Sequence, residues 1–166
     1  MSGSGAVDLR PATADDDDAL WDMLRPAFRA GDSYAIRPDI DRADALAYWT
    51  GADHGVWLAE AGGQPLGSYY LKTNQQGGGA HVCNCGFVTG PAARGRGIAR
   101  AMLDHALDTA RAAGFRAMQF NFVVETNTRA IDIWTRAGFQ TVGRLPRAFQ
   151  HPQNGLVDAL VLYRWL

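Results

Sequence analysis

The run Gly90-Pro91-Ala92-Ala93-Arg94-Gly95-Arg96-Gly97-Ile98-Ala99 stands between an apolar stretch, Ala80 to Val88, and a long helical pattern, Ile98 to Ala113. It demands a strand-to-helix turn midway through the chain, and so a helix packed on a sheet. The helix is well marked, with Ile98, Met102, Leu103, Ala106, Leu107 and Ala110 on one face and Gly114 placed to end it. A helix N-terminus presents unpaired N–H groups and the positive end of the dipole. Glycines let backbone approach a phosphate, and Arg94, Arg96 and Arg100 remain charged at neutral pH. The turn therefore predicts a bound polyanion. The competing reading is a tight turn with exposed arginines and no ligand.

The kind of polyanion is narrowed by what is missing. A nucleotide-hydrolysing loop needs Lys and Ser or Thr after its second glycine, where Arg96 and Gly97 stand here. A dinucleotide fold places its glycines near the start of a βαβ unit. The formal net charge of -1 argues against a dedicated nucleic-acid binder. No apolar run is long enough to span a membrane. Residues 1–6 lack signal-peptide character and read as a flexible tail, leaving 7–166 as a single domain. Cys83 and Cys85 share one face of a strand and belong to no zinc-type array, which predicts a reduced cytoplasmic protein without a metal.

The remaining elements are expected as follows. Val7 to Arg10 reads as a first strand, and Thr13 with Asp15 to Asp18 as the cap of a helix that Pro26 kinks or interrupts and Gly31 closes. A second helix covers Asp41 to Thr50, and a hairpin joins Val56–Ala61 to Leu66–Lys72 around Gly62-Gly63-Gln64. Gly77 to Gly79 read as a mobile link. Ala117 to Val124 is a buried strand, Thr126 or Asn127 caps a helix running to Ala137, and the last strands lie near Phe139–Gly143 and Val157–Trp165. His54, His105 and His151 read as surface or loop residues. The class is mixed α/β, with a mostly antiparallel sheet and one parallel pair.

Arg94-Gly95-Arg96-Gly97-Ile98-Ala99, followed by Asn127, Ala130, Trp134 and Gly138-Phe139, resembles the two signatures of the GNAT acetyltransferase superfamily over the C-terminal half of the chain. The resemblance implies a sheet of about seven strands, splayed between the fourth and fifth beside a bulge in the fourth, with about four flanking helices. It implies acetyl-CoA as donor, its pantetheine arm inserted between Asn84–Val88 and Asn121–Val124. The cofactor would be bound by Phe87, Val88, Arg94, Gly95, Arg96, Gly97, Ile98, Ala99, Asn127 and Trp134. Superfamily members are often dimers, so a homodimer is also implied.

A narrower resemblance joins His81, Cys83-Asn84, Gly86-Phe87, Phe120-Asn121, Asn127, Ile133-Trp134, Val142-Gly143, Leu145-Pro146 and Val157-Asp158-Ala159. These positions are similar to the fungal acetyltransferases of azetidine-2-carboxylate and other proline analogues. The chain is shorter than those proteins, and Cys85 stands where a small apolar residue is the pattern. The resemblance puts the amides of Asn84 and Asn121 in the acceptor pocket, to which Phe122, Tyr34 and Trp49 are added as candidates. Where many superfamily members carry a tyrosine that protonates the leaving thiolate, this chain has Trp134, whose indole is not a useful acid. Glu125 and Asn121 are the catalytic candidates; proton removal would pass through water to Glu125, Asp32 or His81, and Tyr34 is a distant alternative acid. The expected activity is acetyl transfer to a small amine or amino acid by direct attack in a ternary complex. The alternatives are an acyl-CoA-binding sensor without turnover, and transfer to a protein N-terminus or an aminoglycoside.

Overall fold

A computed structural model describes residues 6–166; of the tail expected over 1–6, residues 1–5 lie outside the described residues. A seven-stranded sheet runs β1 (Asp8–Pro11), β2 (Gly55–Ala61), β3 (Gln64–Thr73), β4 (Val82–Thr89), β5 (Ala117–Val124), β7 (Gly155–Trp165) and β6 (Gln140–His151) in spatial order. Every neighbouring pair is antiparallel except β4 and β5. Helices α1 (Asp17–Ala30), α2 (Arg42–Trp49), α3 (Ile98–Ala112) and α4 (Thr128–Arg136) complete the mixed α/β architecture. Among the described residues no helix is long and apolar enough to cross a membrane.

Period-2 alternation divides the sheet between two cores. On one face Tyr69 and Leu71 of β3, Cys83 and Cys85 of β4, and Met118 and Phe120 of β5 meet Met102, Leu103 and Ala106 of α3. On the other, Leu58, Tyr70 and Val88 meet Leu20, Leu24 and Phe28 of α1 and Ala45 and Trp49 of α2. Each fully buried leucine contributes roughly 1.5–3 kcal/mol by leaving water. The helix faces are therefore fixed by which strand residues point toward them.

Four expectations are corrected. Helix α1 runs through Pro26 without a break. The ring sits on the exposed side, and the carbonyl that loses its N–H partner belongs to exposed Asp22. Gly77 to Gly79 form a short 3₁₀ turn, closed by the N–H of Ala80 on the Gly77 carbonyl at 3.0 Å. Strand β6 extends to His151, eight residues past the expected Gly143. It is an edge strand with mostly exposed side chains, so no alternation marks it; register shifts against β7 accommodate Pro146 and Arg147. His105 and His151 are also engaged: His105 Nδ1 lies 2.6 Å from the Tyr69 hydroxyl, and buried His151 accepts the N–H groups of Gln153 and Asn154.

The edge of the α1 layer is fastened by charge. Asp16 accepts two bonds of 2.8 Å from the Arg10 guanidinium and one of 2.8 Å from the Thr13 N–H. The guanidinium and these N–H bonds pull the Asp16 carboxyl down to about 2.

Candidate active site

Strands β4 and β5 pair only at Val82 with Ala117 and Cys83 with Met118. At the next step a side chain replaces the ladder: Asn84 Nδ2 donates to the Gln119 carbonyl at 2.9 Å. Beyond it the strands part. Strand β4 stays in unbroken register with β3 from Cys83 to Thr89, while β5 follows β7 through a shift between Phe120 and Val123. The sheet is thus splayed between its fourth and fifth strands. The irregularity expected in β4 falls in β5 instead.

At the open end of the wedge, Gly90 leads through a short 3₁₀ turn, Pro91–Ala93, into α3. Gly95 (φ 72°) and Gly97 (φ 71°) are left-handed. A Cβ at either would meet nothing within 4 Å, so backbone conformation rather than crowding requires glycine there. The Arg96 N–H is spent inside the turn, on the Ala93 carbonyl at 3.1 Å. The first helical bond runs from the Ala101 N–H to the Gly97 carbonyl, which leaves the N–H groups of Ile98, Ala99 and Arg100 at the helix start without a helical partner.

A cleft of about 790 Å³ runs from this turn through the wedge to the face carrying α1. Of the expected cofactor residues, Phe87, Val88, Arg94, Gly97, Ile98, Ala99, Asn127 and Trp134 line it, and Gly95 and Arg96 do not. Asn127 caps α4 through its side chain. Trp134 packs between Phe87 and Phe120, with ring centroids 5.0 and 4.9 Å away.

The other end of the cleft is assembled from separate segments. Tyr70 and Lys72 of β3 lie beside their register partners Gly86 and Asn84 of β4. A Cβ on Gly86 would come within 2.3 Å of the Tyr70 ring, so the ring's position depends on that glycine. Asn121 is exposed rather than buried: its Nδ2 donates to Asn74 Oδ1 at 2.7 Å, and its Oδ1 accepts from Gln119 Nε2 at 2.9 Å. Phe122, Tyr34 and Tyr48 form the walls. Sequence reasoning missed Tyr48, Tyr70, Lys72 and Asn74. For Lys72 a signal was present: it is the single lysine in a chain with 16 lysines and arginines.

Several candidates lie elsewhere or are already engaged. Trp49 is fully buried and does not line the cleft; its Nε1 donates to Ser68 Oγ at 3.0 Å, and its ring backs Tyr34 and Tyr70. Glu125 lies outside the lining, accepting from Arg144 at 2.8 Å and from the Asp158 N–H at 3.1 Å. Asp32 and His81 are also outside it, the latter beside Trp165. Tyr34 donates its hydroxyl to the Phe87 carbonyl. Burial raises the Tyr34 and Tyr70 hydroxyls, which keeps both as donors, and raises the Cys85 thiol, which keeps it protonated.

The family model described as Acetyltransferase (GNAT) family matches residues 18–139. The chain belongs to the GNAT acetyltransferase family. With that membership it stands among the acyltransferases. A GCN5-related N-acetyltransferase from Kribbella flavida is 39% identical and superposes with a TM-score of 0.91, over 97% of this chain and 98% of that one. The N-acetyltransferase aca1 of Schizosaccharomyces pombe is 36% identical over 97 residues, 58% of this GNAT chain and 46% of that protein. The chain thus spans less than half the length of that curated relative. A phosphinothricin acetyltransferase from Sinorhizobium meliloti, solved in complex with AcCoA, shares the fold with a TM-score of 0.84 at 21% identity, over 96% of this chain and 88% of that one.

Proposed function

We propose that this chain is an acetyl-CoA-dependent N-acetyltransferase that acylates the amine of a small molecule, with a small amino acid such as a proline analogue as the best candidate. The observation that carries the reading is the continuity of one cleft, from a cationic helix start to an aromatic and amide-lined chamber, through an opening in the sheet.

The residues fit the donor. Arg94, Arg100 and Arg129 line the phosphate end together with the α3 start, and no Asp or Glu lines the cleft among the described residues. Past Cys83 the β4 edge facing β5 has no strand partner, so its backbone groups are available to an amide-bearing arm. Phe87, Phe120 and Trp134 would wall the thioester from water. The donor supplies the activated acyl carbon; the chain's task is to align an amine with it.

The amine must arrive unprotonated. With pKa about 10 it is about 0.1% free at pH 7, a cost of roughly 4 kcal/mol. Among the described residues no carboxylate or imidazole lines the cleft, and its buried tyrosines stay protonated. Water is therefore the immediate proton acceptor, with Glu125, Asp32 and His81 beyond the lining as onward acceptors and the amide oxygens of Asn84 and Asn121 left to hold the neutral amine. At the position of Trp134 the departing thiolate would meet an indole, which is no useful acid, so it would leave as the thiolate and take its proton after release.

The test mixes acetyl-CoA with L-azetidine-2-carboxylate or cis-4-hydroxy-L-proline and measures thiol release. Turnover with a peptide N-terminus or kanamycin, and none with either amino acid, would overturn the acceptor. Trp134 favours one further reading, a coenzyme A-binding sensor: thermal stabilisation by acetyl-CoA with no turnover across a broad amine panel would establish it.

A further inference from the structure

Strand β3 enters the sheet beside the phosphate turn, where Gly67 pairs with Thr89, and reaches Lys72 five residues later, opposite Asn84. At about 3.3 Å per residue, Lys72 stands roughly 16 Å along the sheet from the end that carries the turn. That exceeds the reach of a lysine side chain, so its charge serves nothing held at the α3 start. Lys72 is half-buried and lines the cleft. None of the ion pairs among the described residues includes it. The other cationic lining residues, Arg94, Arg100 and Arg129, belong to the turn, α3 and α4.

A cation in a partly desolvated chamber without a counter-ion favours an anionic guest. Its surroundings fit a small planar one. Asn84 stands opposite Lys72 on β4, Asn74 follows Lys72 by two residues, and Tyr70 precedes it by two on the same face. The Asn121-to-Asn74 bond ties the far side of this floor to β5, so the amides are held before any ligand arrives.

We propose that Lys72 is the counter-ion for a carboxylate on the acceptor, so that the enzyme takes amino acids and discriminates against amines that lack a carboxylate. The inference rests on the acetyl-transfer reading above and adds a specificity residue to it. A carboxylate bound at Lys72 turns the amine of the same small molecule toward the wedge, and a polycation such as spermidine or kanamycin meets a like charge in the chamber.

The experiment uses matched acceptors, each amino acid beside its own carboxamide: L-azetidine-2-carboxylate, cis-4-hydroxy-L-proline, L-proline and glycine. Thiol release is measured for the native chain, Lys72→Met and Lys72→Arg. With kcat/KM expressed per unprotonated amine, because a carboxamide makes the neighbouring amine less basic, the native enzyme should prefer each carboxylate by roughly tenfold or more, as expected for one charge-assisted contact. Lys72→Met should lose that preference through a KM that rises more for the carboxylate than for its carboxamide, and Lys72→Arg should restore part of it. Equal losses on both members of a pair, or no native preference, would overturn the assignment while acetyl transfer stood. If no acceptor is turned over, calorimetry with the same pairs on the coenzyme A-loaded protein decides the matter. Carboxylate binding that Lys72→Met abolishes supports the assignment, and binding indifferent to carboxylate or to Lys72 overturns it.

Discussion

The two ends of the cleft are built in different ways. The end proposed to hold the donor's phosphates is one stretch of chain: Phe87 to Arg100 supplies strand, turn and helix start, joined by Asn127 and Trp134 in the lining. The end proposed for the acceptor takes Tyr34 from a loop, Tyr48 from α2, Tyr70 and Lys72 from β3, Asn84 from β4 and Asn121 from β5. The first end works through backbone conformation and formal charge, and the second through register between strands. A contiguous site survives changes in its neighbours; an assembled one depends on all of them.

The sharpest break in that comparison is Gly86→Val. It forces the Tyr70 ring aside and should lower turnover about 100-fold, with a cost of roughly 1–3 kcal/mol in stability from overpacking. Coenzyme A affinity, read by calorimetry, should change little. Equal loss at both ends would mean that the two are mechanically one.

Acidity tests the empty place where a base would sit. Between pH 7 and 9, kcat/KM should climb about tenfold per unit toward the acceptor amine's own pKa. A plateau near pH 6–7 would reveal an enzyme carboxylate or imidazole in the reaction. At the phosphate end, Gly97→Ala forces a side chain into the left-handed region, which costs about 1–2 kcal/mol. Coenzyme A affinity should fall about tenfold, with the acceptor KM unmoved.

Asp16 anchors the helix layer above the acceptor end. Its carboxyl is depressed in the folded chain, so its stabilisation is complete above the unfolded value near pH 4 and is lost as pH falls toward 2. Asp16→Asn should cost about 1 kcal/mol near neutrality, and its melting temperature should vary less than the native chain's across that acid window. The smallest effect is expected of Trp134→Tyr. A hydroxyl returned to the thiolate side should raise kcat no more than about fivefold, because the thiolate already leaves well.

What could be read ahead of the structure follows the same division. The turn from Gly90 to Ala99 was legible because its residues are neighbours in sequence and each has one physical task. The central strand, the helix after it and the order of elements were legible from periodicity. Tyr70 and Lys72 were not, since only the pairing of β3 with β4 turns two residues of a hairpin arm toward Asn84. Glu125 looked free because Arg144, which holds it, comes from an edge strand without alternation. Trp49 looked like a wall because an amphipathic pattern gives the inward face of α2 but not how deep that face sinks.

The short parallel contact at Val82 and Cys83 divides the sheet into two antiparallel blades, β1 to β4 and β5 to β7, with Asn84 as the last stitch between them. From Cys83 to Val88 is about 16 Å of strand. Over such a lever, a relative rotation of about 5° moves the mouth by about 1.4 Å, close to the length of one carbon–carbon bond. The aperture between the blades is thus geared to a pivot beside Asn84, at one end of the cleft. A change at Asn84, whose side chain makes that stitch, should be felt in the aperture as well as in the contact it removes.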